Sequence, residues 1–545
     1  MKDEVSQIQA NLEILCDVLI PRALTQVCRD PGSQAYGSFD RAWWHYKTID
    51  FPSIILQQGG YLLMLSAELK HWKLYKEELT KISVAAARFW ARRAMKRGAF
   101  EEYYPFEQGY PPLAFSTMAV MKIIHDMRGL GPEMREAARR AAGQLESRFE
   151  RHAANQQVAG LAAYAWTGRN YPELFRERVF RDLKQRTLAL QREEGWFVEY
   201  GGPDLGYLSV TLDCLWDLAD ATGDGVFVES ASRALRYIAS LVGALKSGIG
   251  MHNARNTDYL VPYGIVRFLE RPEERPFALF VLETLFGRAI GRDHFLQAVD
   301  DRYVCHYTGH SIVRACLFLQ RIREILKDEK HVPDGRIPGP SRMFFPGCGH
   351  HVLSNEPPRN YSSLVSLRKG GVLTAVSPAG KISDFGWTVW EGRKQFTSHW
   401  WSDRWVFKVR EEKGAIILEV DGHLEQHKEI PSGPWKHMIL RIASFFFGRH
   451  IIGQLKKRLI FKERNSKHPF QRRITLMADR IIVSDVICNV PRNAIVERAP
   501  RASKRHVASA DSFHFEDLRP CSRGLADDVI HREENVFRSL TTYKL

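Results

Sequence analysis

Residues 328–349 read DEKHVPDGRIPGPSRMFFPGCG, a stretch rich in Pro and Gly and without apolar periodicity, which marks a linker. It separates two kinds of text. Upstream, apolar residues recur at helical spacing, as in Phe175, Val179 and Leu183, or Val210, Cys214, Leu215 and Leu218. Breaks at Pro111-Pro112, Gly129-Leu130-Gly131-Pro132, Gly168-Arg169-Asn170 and Gly201-Gly202-Pro203 punctuate the helices. A run of helical hairpins with no shared repeat motif predicts a ring or solenoid of helix pairs. Downstream, Ser362 to Val376, Gly414 to Val420 and Arg473 to Val486 are rich in Val, Ile, Leu and Thr and are bounded by Gly, Asp and Pro, which predicts an antiparallel sheet domain. The expected organisation is a helical domain over 1–330, a linker over 331–349 and a sheet domain over 350–545. From about residue 500 onward the chain is basic and poorly patterned, so its order is left open.

The 545 residues are 44% hydrophobic and 26% charged, which excludes disorder, collagen and coiled coil as overall descriptions. Lys and Arg number 78 against 63 Asp and Glu, a net charge of +15, and a surface this positive attracts polyanions such as nucleic acid, anionic lipid or acidic glycan. The eight cysteines are scattered with no CxxC pair, so neither a disulfide framework nor a zinc ribbon is encoded. The first residues, MKDEVSQIQANLEIL, carry acids where a signal peptide needs a basic segment, and no stretch offers about 18 uninterrupted apolar residues. The expected location is cytoplasmic, or periplasmic should residues before Met1 have been removed. Residues 435–461, WKHMILRIASFFFGRHIIGQLKKRLIF, mix apolar and basic side chains. They read either as strands and a loop feeding the sheet core, or as a basic amphipathic helix in peripheral contact with an anionic membrane.

No GxxxxGK[ST], strand-borne GxGxxG, HExxH or GxSxG motif is present, which disfavours nucleotide-dependent and zincin chemistry. The remaining candidates stand at predicted helix ends. Asn155 and Gln156 precede a small-residue helix, where Asn155 is either an N-cap or, with Gln156, an amide dipole aimed at a carboxylate. Glu199, Tyr200, Gly201, Gly202, Pro203 and Asp204 lead to Tyr207, with Asp204 placed as a cap and Tyr207 on a helical stripe with Thr211 and Cys214. In Gly250-Met-His-Asn-Ala-Arg255-Asn256-Thr-Asp258, a turn and a cap explain Asn256 and Asp258, while Arg255 suits bidentate grip on a carboxylate or sulfate. His350 and His351 open the sheet domain. Adjacent residues of a strand face opposite ways, so at most one enters a given cleft. Trp44, His45 and Tyr46 belong to a dense aromatic cluster starting at Phe39, suited either to stacking on sugar rings or to plugging the helical ring.

A helical first part carrying Asn155-Gln156, then DLGY ending at Tyr207, then a Pro/Gly linker and a histidine opening a sheet domain, resembles the heparinase II/III-like polysaccharide lyases. The resemblance implies a multidomain α+β protein, an N-terminal incomplete α/α toroid of helical hairpins followed by a C-terminal antiparallel β-sandwich, with the cleft between them. It implies that Asn155 or Gln156 neutralises a uronate carboxylate, that Tyr207 is the acid/base, and that His350 or His351 completes the site. Trp44, His45, Tyr46, Glu199, Arg255 and Asn256 are the expected substrate-binding residues. The implied partner is an anionic polysaccharide or oligosaccharide rather than nucleic acid. The C5 proton of a uronate is weakly acidic until the carboxylate charge is masked, so donors must stabilise an enolate-like transition state, and a Tyr or His can then move the proton. No cofactor is expected, although a structural divalent metal would fit the family.

Two departures stand out. Gln156 follows Asn155 where members of the family commonly carry histidine, and no His-x-Asp segment is evident around Ser383-Asp-Phe-Gly-Trp387. Three alternatives therefore accompany a β-eliminating lyase: a uronate C5-epimerase of the same fold, a catalytically inert glycan-binding or assembly protein in polysaccharide biosynthesis, and a glycosidase built on Glu199 and Asp204.

Overall fold

The computed structural model describes residues 2–94, 98–288, 294, 299–326, 341–427, 432–459, 467–499 and 526–545. Its first half is a double ring of helices. The inner row runs through Gln58–Ser66, Tyr110–Asp126, Ala154–Asn170, Leu205–Thr222, the single turn Tyr263–Val266 and Gly309–Leu326, each packing on the next, and the last returns to the first. Lys76–Arg93, Pro132–Ser147, Glu177–Leu188, Val226–Leu245, Arg275–Phe286 and Lys2–Gln26 flank them outside. The toroid is incomplete at its fifth inner position, where one turn stands in for a full helix.

Composition explains the two rows. Leu205–Thr222 is buried along nearly its whole length, whereas Glu177–Leu188 buries only Phe180, Leu183 and Thr187, as expected of a helix apolar all round against one with a single stripe. Ions fill the middle of the ring. Asp217 pairs with Lys122 at 2.5 Å and with Arg314, all three buried. Burial opposes the Asp217 charge, but Arg314 and Lys122 outweigh it and hold the carboxyl below its ordinary range.

The strands of the second half are β1 (Arg342–Phe345), β2 (His350–Leu353), β3 (Ser362–Ser366), β4 (Val372–Ser377), β5 (Gly380–Asp384), β6 (Trp387–Glu391), β7 (Lys394–Thr397), β8 (Val406–Glu412), β9 (Ala415–His423), β10 (Glu425–His427), β11 (Pro469–Leu476), β12 (Arg480–Ile487), β13 (Ile495–Arg498), β14 (Ala526–Glu533) and β15 (Val536–Lys544). They form three antiparallel sheets, ordered β1-β2-β3-β4-β5, β10-β7-β6-β13 and β14-β15-β12-β11-β9-β8. The first lies against helix Val226–Leu245 of the ring, which is why β2 and β3 are buried on both faces. Its other face, through Leu353, Val365 and Leu373, joins the other sheets in a separate core around Trp387, Leu418, Ile474 and Val483.

Pairing starts at Arg342, before the histidine pair and inside the stretch read as linker; residues 331–340 of that linker lie outside the described residues. The pattern-poor end contains an ordered hairpin, β14 with β15, and β15 pairs with β12 in the middle of the largest sheet; residues 500–525 lie outside the description. The strand-and-loop reading of 435–461 is corrected. The chain between β10 and β11 forms helix Pro434–Phe447, with Pro434 in the first turn where a missing N–H matters least, then a break at Gly448 and helix Arg449–Leu459. Its apolar residues do not join the sheet core, and residues 460 and 461 are outside the described set.

Candidate active site

The segments that lead from outer helices into inner ones are stitched together by backbone bonds. Tyr200 N–H donates to His152 O, Ala154 N–H to Val198 O, Ala254 N–H to Pro203 O, and Ala153 bridges Glu199. The sequence-derived candidates from three separate loops thereby share one rim of the ring.

At its centre, Glu199 is buried and accepts the Asn155 N–H at 2.7 Å. Burial pushes its carboxyl well above the usual range. Asn155 is therefore not the cap: Ala153 holds that position, and Asn155 lies in the first turn. Its Oδ1 accepts from Gln156 N–H at 2.7 Å, so Nδ2 is the donor that remains. Gln156 donates through Nε2 to the Tyr200 hydroxyl at 3.2 Å. The Arg255 guanidinium lies over the Tyr200 ring, 4.7 Å from its centroid, and the Lys456 ammonium lies 5.6 Å from the same centroid. Arg255 is buried, yet its Nε and Nη2 meet no hydrogen-bond partner among the described residues.

Asp204 caps helix Leu205–Thr222 as the sequence predicts, accepting from Tyr207 N–H, and its other oxygen takes Arg255 N–H at 3.1 Å and Thr257 N–H. Burial raises its carboxyl to about 6. Asp204 and Glu199 thus both hold loop backbone, Asp204 through its two oxygens and Glu199 through Oε1, while Glu199 Oε2 meets no hydrogen-bond partner among the described residues. Asn256 takes a left-handed backbone, φ 59°, and its side chain accepts from the buried Lys369 ammonium, which also donates to Asn253 O. Lys369 comes from the sheet domain, and burial lowers it to about 7.

Tyr207 is only 4% exposed, and its neighbours are other phenols, since Tyr103 and Tyr259 both sense its charge. Tyr103 is 57% exposed, while the surrounding protein pushes its phenol well up. Behind Tyr103 lie Glu102 and Glu107, both buried and raised, chiefly by burial and, for Glu102, next by Glu107. Glu102 also senses Lys456 and Arg302, which joins the phenol corner to the Arg255 corner.

The histidines lie elsewhere. His350 is fully buried, its Nδ1 against the Tyr237 hydroxyl at 3.0 Å and its Nε2 toward the His252 carbonyl at 3.3 Å. Burial lowers it to about 3. Both ring nitrogens are engaged, which does not suit a group that must reach substrate. His351 faces the other way, beside Phe344 and buried, at about 4 for the same reason. His252 bonds to Ser366 and Thr374 across the domain interface. Of the early aromatics, Trp44 donates to Gln26 O and is half-buried, while His45 and Tyr46 face solvent. Arg302, 3.7 Å from Asp40, links that cluster toward Glu102 at the rim. Tyr103, Glu102, Tyr200 and Lys456 are the residues gathered at this rim that the sequence-level candidates left out. Tyr200 stood inside the quoted Glu199-to-Tyr207 string; Tyr103 and Lys456 carry no local signal.

Among the described residues no group of three or more His, Cys, Asp or Glu side chains is arranged to hold a metal ion, and no helix is long and apolar enough to cross a membrane. No protein-family model and no curated protein sequence matches the chain. Among solved structures it is similar to a Paenibacillus xanthan lyase at 10% identity and TM-score 0.46, over 90% of this chain and 46% of that one, so it spans less than half the length of that protein. It is also similar to the Streptomyces coelicolor chondroitin AC lyase solved with chondroitin sulphate, at 13% identity and TM-score 0.46 over 97% and 80% of the two chains. A heparan sulfate lyase from Pedobacter heparinus matches at 8% identity and TM-score 0.38, over 90% and 75%. Each is a likeness to a structure of a polysaccharide lyase, at 8% to 13% identity.

Proposed function

We propose that this protein is a lyase that cleaves an acidic, uronate-containing polysaccharide by β-elimination. The observation that carries the reading is Arg255, a buried guanidinium whose Nε and Nη2 donors have no partner among the described residues. A buried charged donor left unpaired costs several kcal/mol, and a planar carboxylate or sulfate is the ligand that relieves it bidentately. Beside it, Asn155 Nδ2 and Gln156 Nε2 supply neutral donors. Together the three mask the uronate charge so that the C5 hydrogen becomes removable.

Tyr207 is the acid/base. Its phenolate takes the C5 proton, the C5–H electrons form the C4=C5 bond, the C4–O bond breaks, and the same phenol returns the proton to the departing O4. One phenol serving both steps needs no imidazole, which accords with the placement of His350 and His351. Tyr200 positions Gln156 and stacks under Arg255. Open aromatic edges at Tyr103, His45 and Tyr46 suit sugar rings along the approach.

Incubation with alginate, heparosan, hyaluronan and chondroitin should yield, on at least one polymer, ultraviolet absorbance from the new double bond. Tyr207→Phe should lower the rate by about 10³-fold or more with the melting temperature preserved. Full turnover in that variant would assign the chemistry to another group, and solvent deuterium entering C5 without chain scission would make the enzyme an epimerase.

A further inference from the structure

Helix Pro434–Phe447 is seated on the ring by its inner side. Ser444 is buried, Arg441 pairs with Asp50 at 2.5 Å, the Phe445 ring edges onto Phe106, and in the following helix Lys456 pairs with Glu150 at 2.6 Å. Its outer side is another matter. Trp435, Met438, Ile439, Ile442 and Phe446 are each between 44% and 72% exposed, and Phe445 and Phe447, at 63% and 62%, border the row on its two sides. At about 100° per residue the five fall within an arc of about 100°, turned away from Ser444. A contiguous row of large apolar side chains on one helix face is far from the scattered exposed hydrophobics of an ordinary surface.

Charge indicates what covers it. Residues 432–461 contain no Asp or Glu but carry Lys436, Arg441, Arg449, Lys456, Lys457 and Arg458. Two copies of the protein meeting through this face would bring two exposed Lys436 side chains together with no acid on either helix to offset them, along a helix only about 21 Å long. A polysaccharide chain is too polar to cover isoleucine and methionine on a convex surface. An anionic bilayer answers both features at once, taking the apolar row into the boundary between headgroups and acyl chains and the exposed Lys436 and Arg449 against lipid phosphates.

We infer that helix Pro434–Phe447 is an in-plane membrane anchor that docks this protein on a surface of anionic phospholipid. Because the next helix brings Lys456 to the rim beside Glu150 and Tyr200, a docked molecule holds its cleft close to the bilayer. The docking itself does not depend on the lyase reading and is measured without substrate.

The test uses the full chain and vesicles of phosphatidylcholine with about one-third phosphatidylglycerol, separated by sedimentation. The protein should sediment with these vesicles and bind pure phosphatidylcholine at least about tenfold more weakly. Ile442→Ser combined with Phe446→Ser, which changes no charge and removes two exposed side chains, should weaken binding to the anionic vesicles by at least about tenfold at an unchanged melting temperature. Wild-type protein left in the supernatant would overturn the inference. So would a double variant that binds as well as wild type, since attraction by net charge alone would then suffice, or a lipid-free dimer that the double variant abolishes.

Discussion

Lys369 shows what a single charge contributes where the two domains meet. It leaves the sheet domain and buries its ammonium against Asn253 O and the Asn256 side chain, fixing the loop that carries Arg255. Burial lowers it to about 7 from 10.5. Below pH 7 the lysine is protonated in both folded and unfolded chains, and the folded state bears the full penalty of a buried charge. Between 7 and about 10.4 the unfolded chain binds one proton more, so stability rises with pH across that window and levels off above it. Lys369→Met should abolish that slope, whatever constant offset follows from leaving two oxygens without a donor. Denaturant unfolding at several pH values from 6 to 10 measures it. A variant that keeps the wild-type slope would place the titration on another group. The loop it holds was legible in the sequence as Gly250 to Asp258, but Lys369 was not, because it lies more than a hundred positions away and only the folded contact gives it meaning.

At the scale of the strand, β11 carries an ion inside the sandwich. Its alternating burial puts Phe470, Arg472, Ile474 and Leu476 on the inner face, and Arg472 is fully buried there with Asp384 of β5 at 3.0 Å and Asp485 of β12 at 2.7 Å. Trp387 Nε1 donates to Asp485 and the Tyr543 hydroxyl to Asp384. Gly371, at φ 74°, lets the arginine approach: a Cβ there would stand 2.7 Å from Arg472 Cδ. Burial opposes the Asp384 charge, yet Arg472 and Arg498 outweigh it and hold the carboxyl well below its usual range. Asp384→Asn keeps the shape and removes the countercharge, so it should cost about 3–5 kcal/mol in chemical denaturation; a loss under about 1 kcal/mol would mean that Asp485 alone suffices for Arg472. Period-two reading places Arg472 on the face of Phe470 and Ile474, so the sequence carried this feature although strand composition alone passes over it. The helix at 434–447 was harder. Its apolar residues fit a strand-and-loop reading as well as a helix, because isoleucine and phenylalanine serve either, and only the fold shows that they face outward. Strand order was not legible, since β15 enters the largest sheet from the far end of the chain.

For the molecule as a whole, the helix-then-sheet order is written in a change of period around residues 328–349. The candidate site is not, because it gathers loops near Tyr103, Asn155, Tyr207 and Arg255 together with Lys456 from the helices between β10 and β11. Under the proposed lyase reading, two layers of positive charge would act on an incoming polyanion there. The net +15 spreads over an exposed surface and works through solvent, so its reach is about 10 Å at 0.1 M salt and shorter above that. Arg255 is buried, stacked on Tyr200, and acts at contact; salt screens such a group far less. Capture and chemistry should therefore separate. Raising salt from about 0.05 to 0.3 M should lower kcat/KM on an acidic polymer by at least about tenfold, while kcat at saturating polymer stays within about twofold. The loss should shrink with short oligosaccharides, which span less of the surface field. Initial rates across a salt series on polymer and on tetrasaccharide give both quantities. If kcat fell in parallel with kcat/KM, the charge that governs turnover would lie in solvent rather than beneath the substrate, and Arg255 would lose its role as the group that masks the carboxylate.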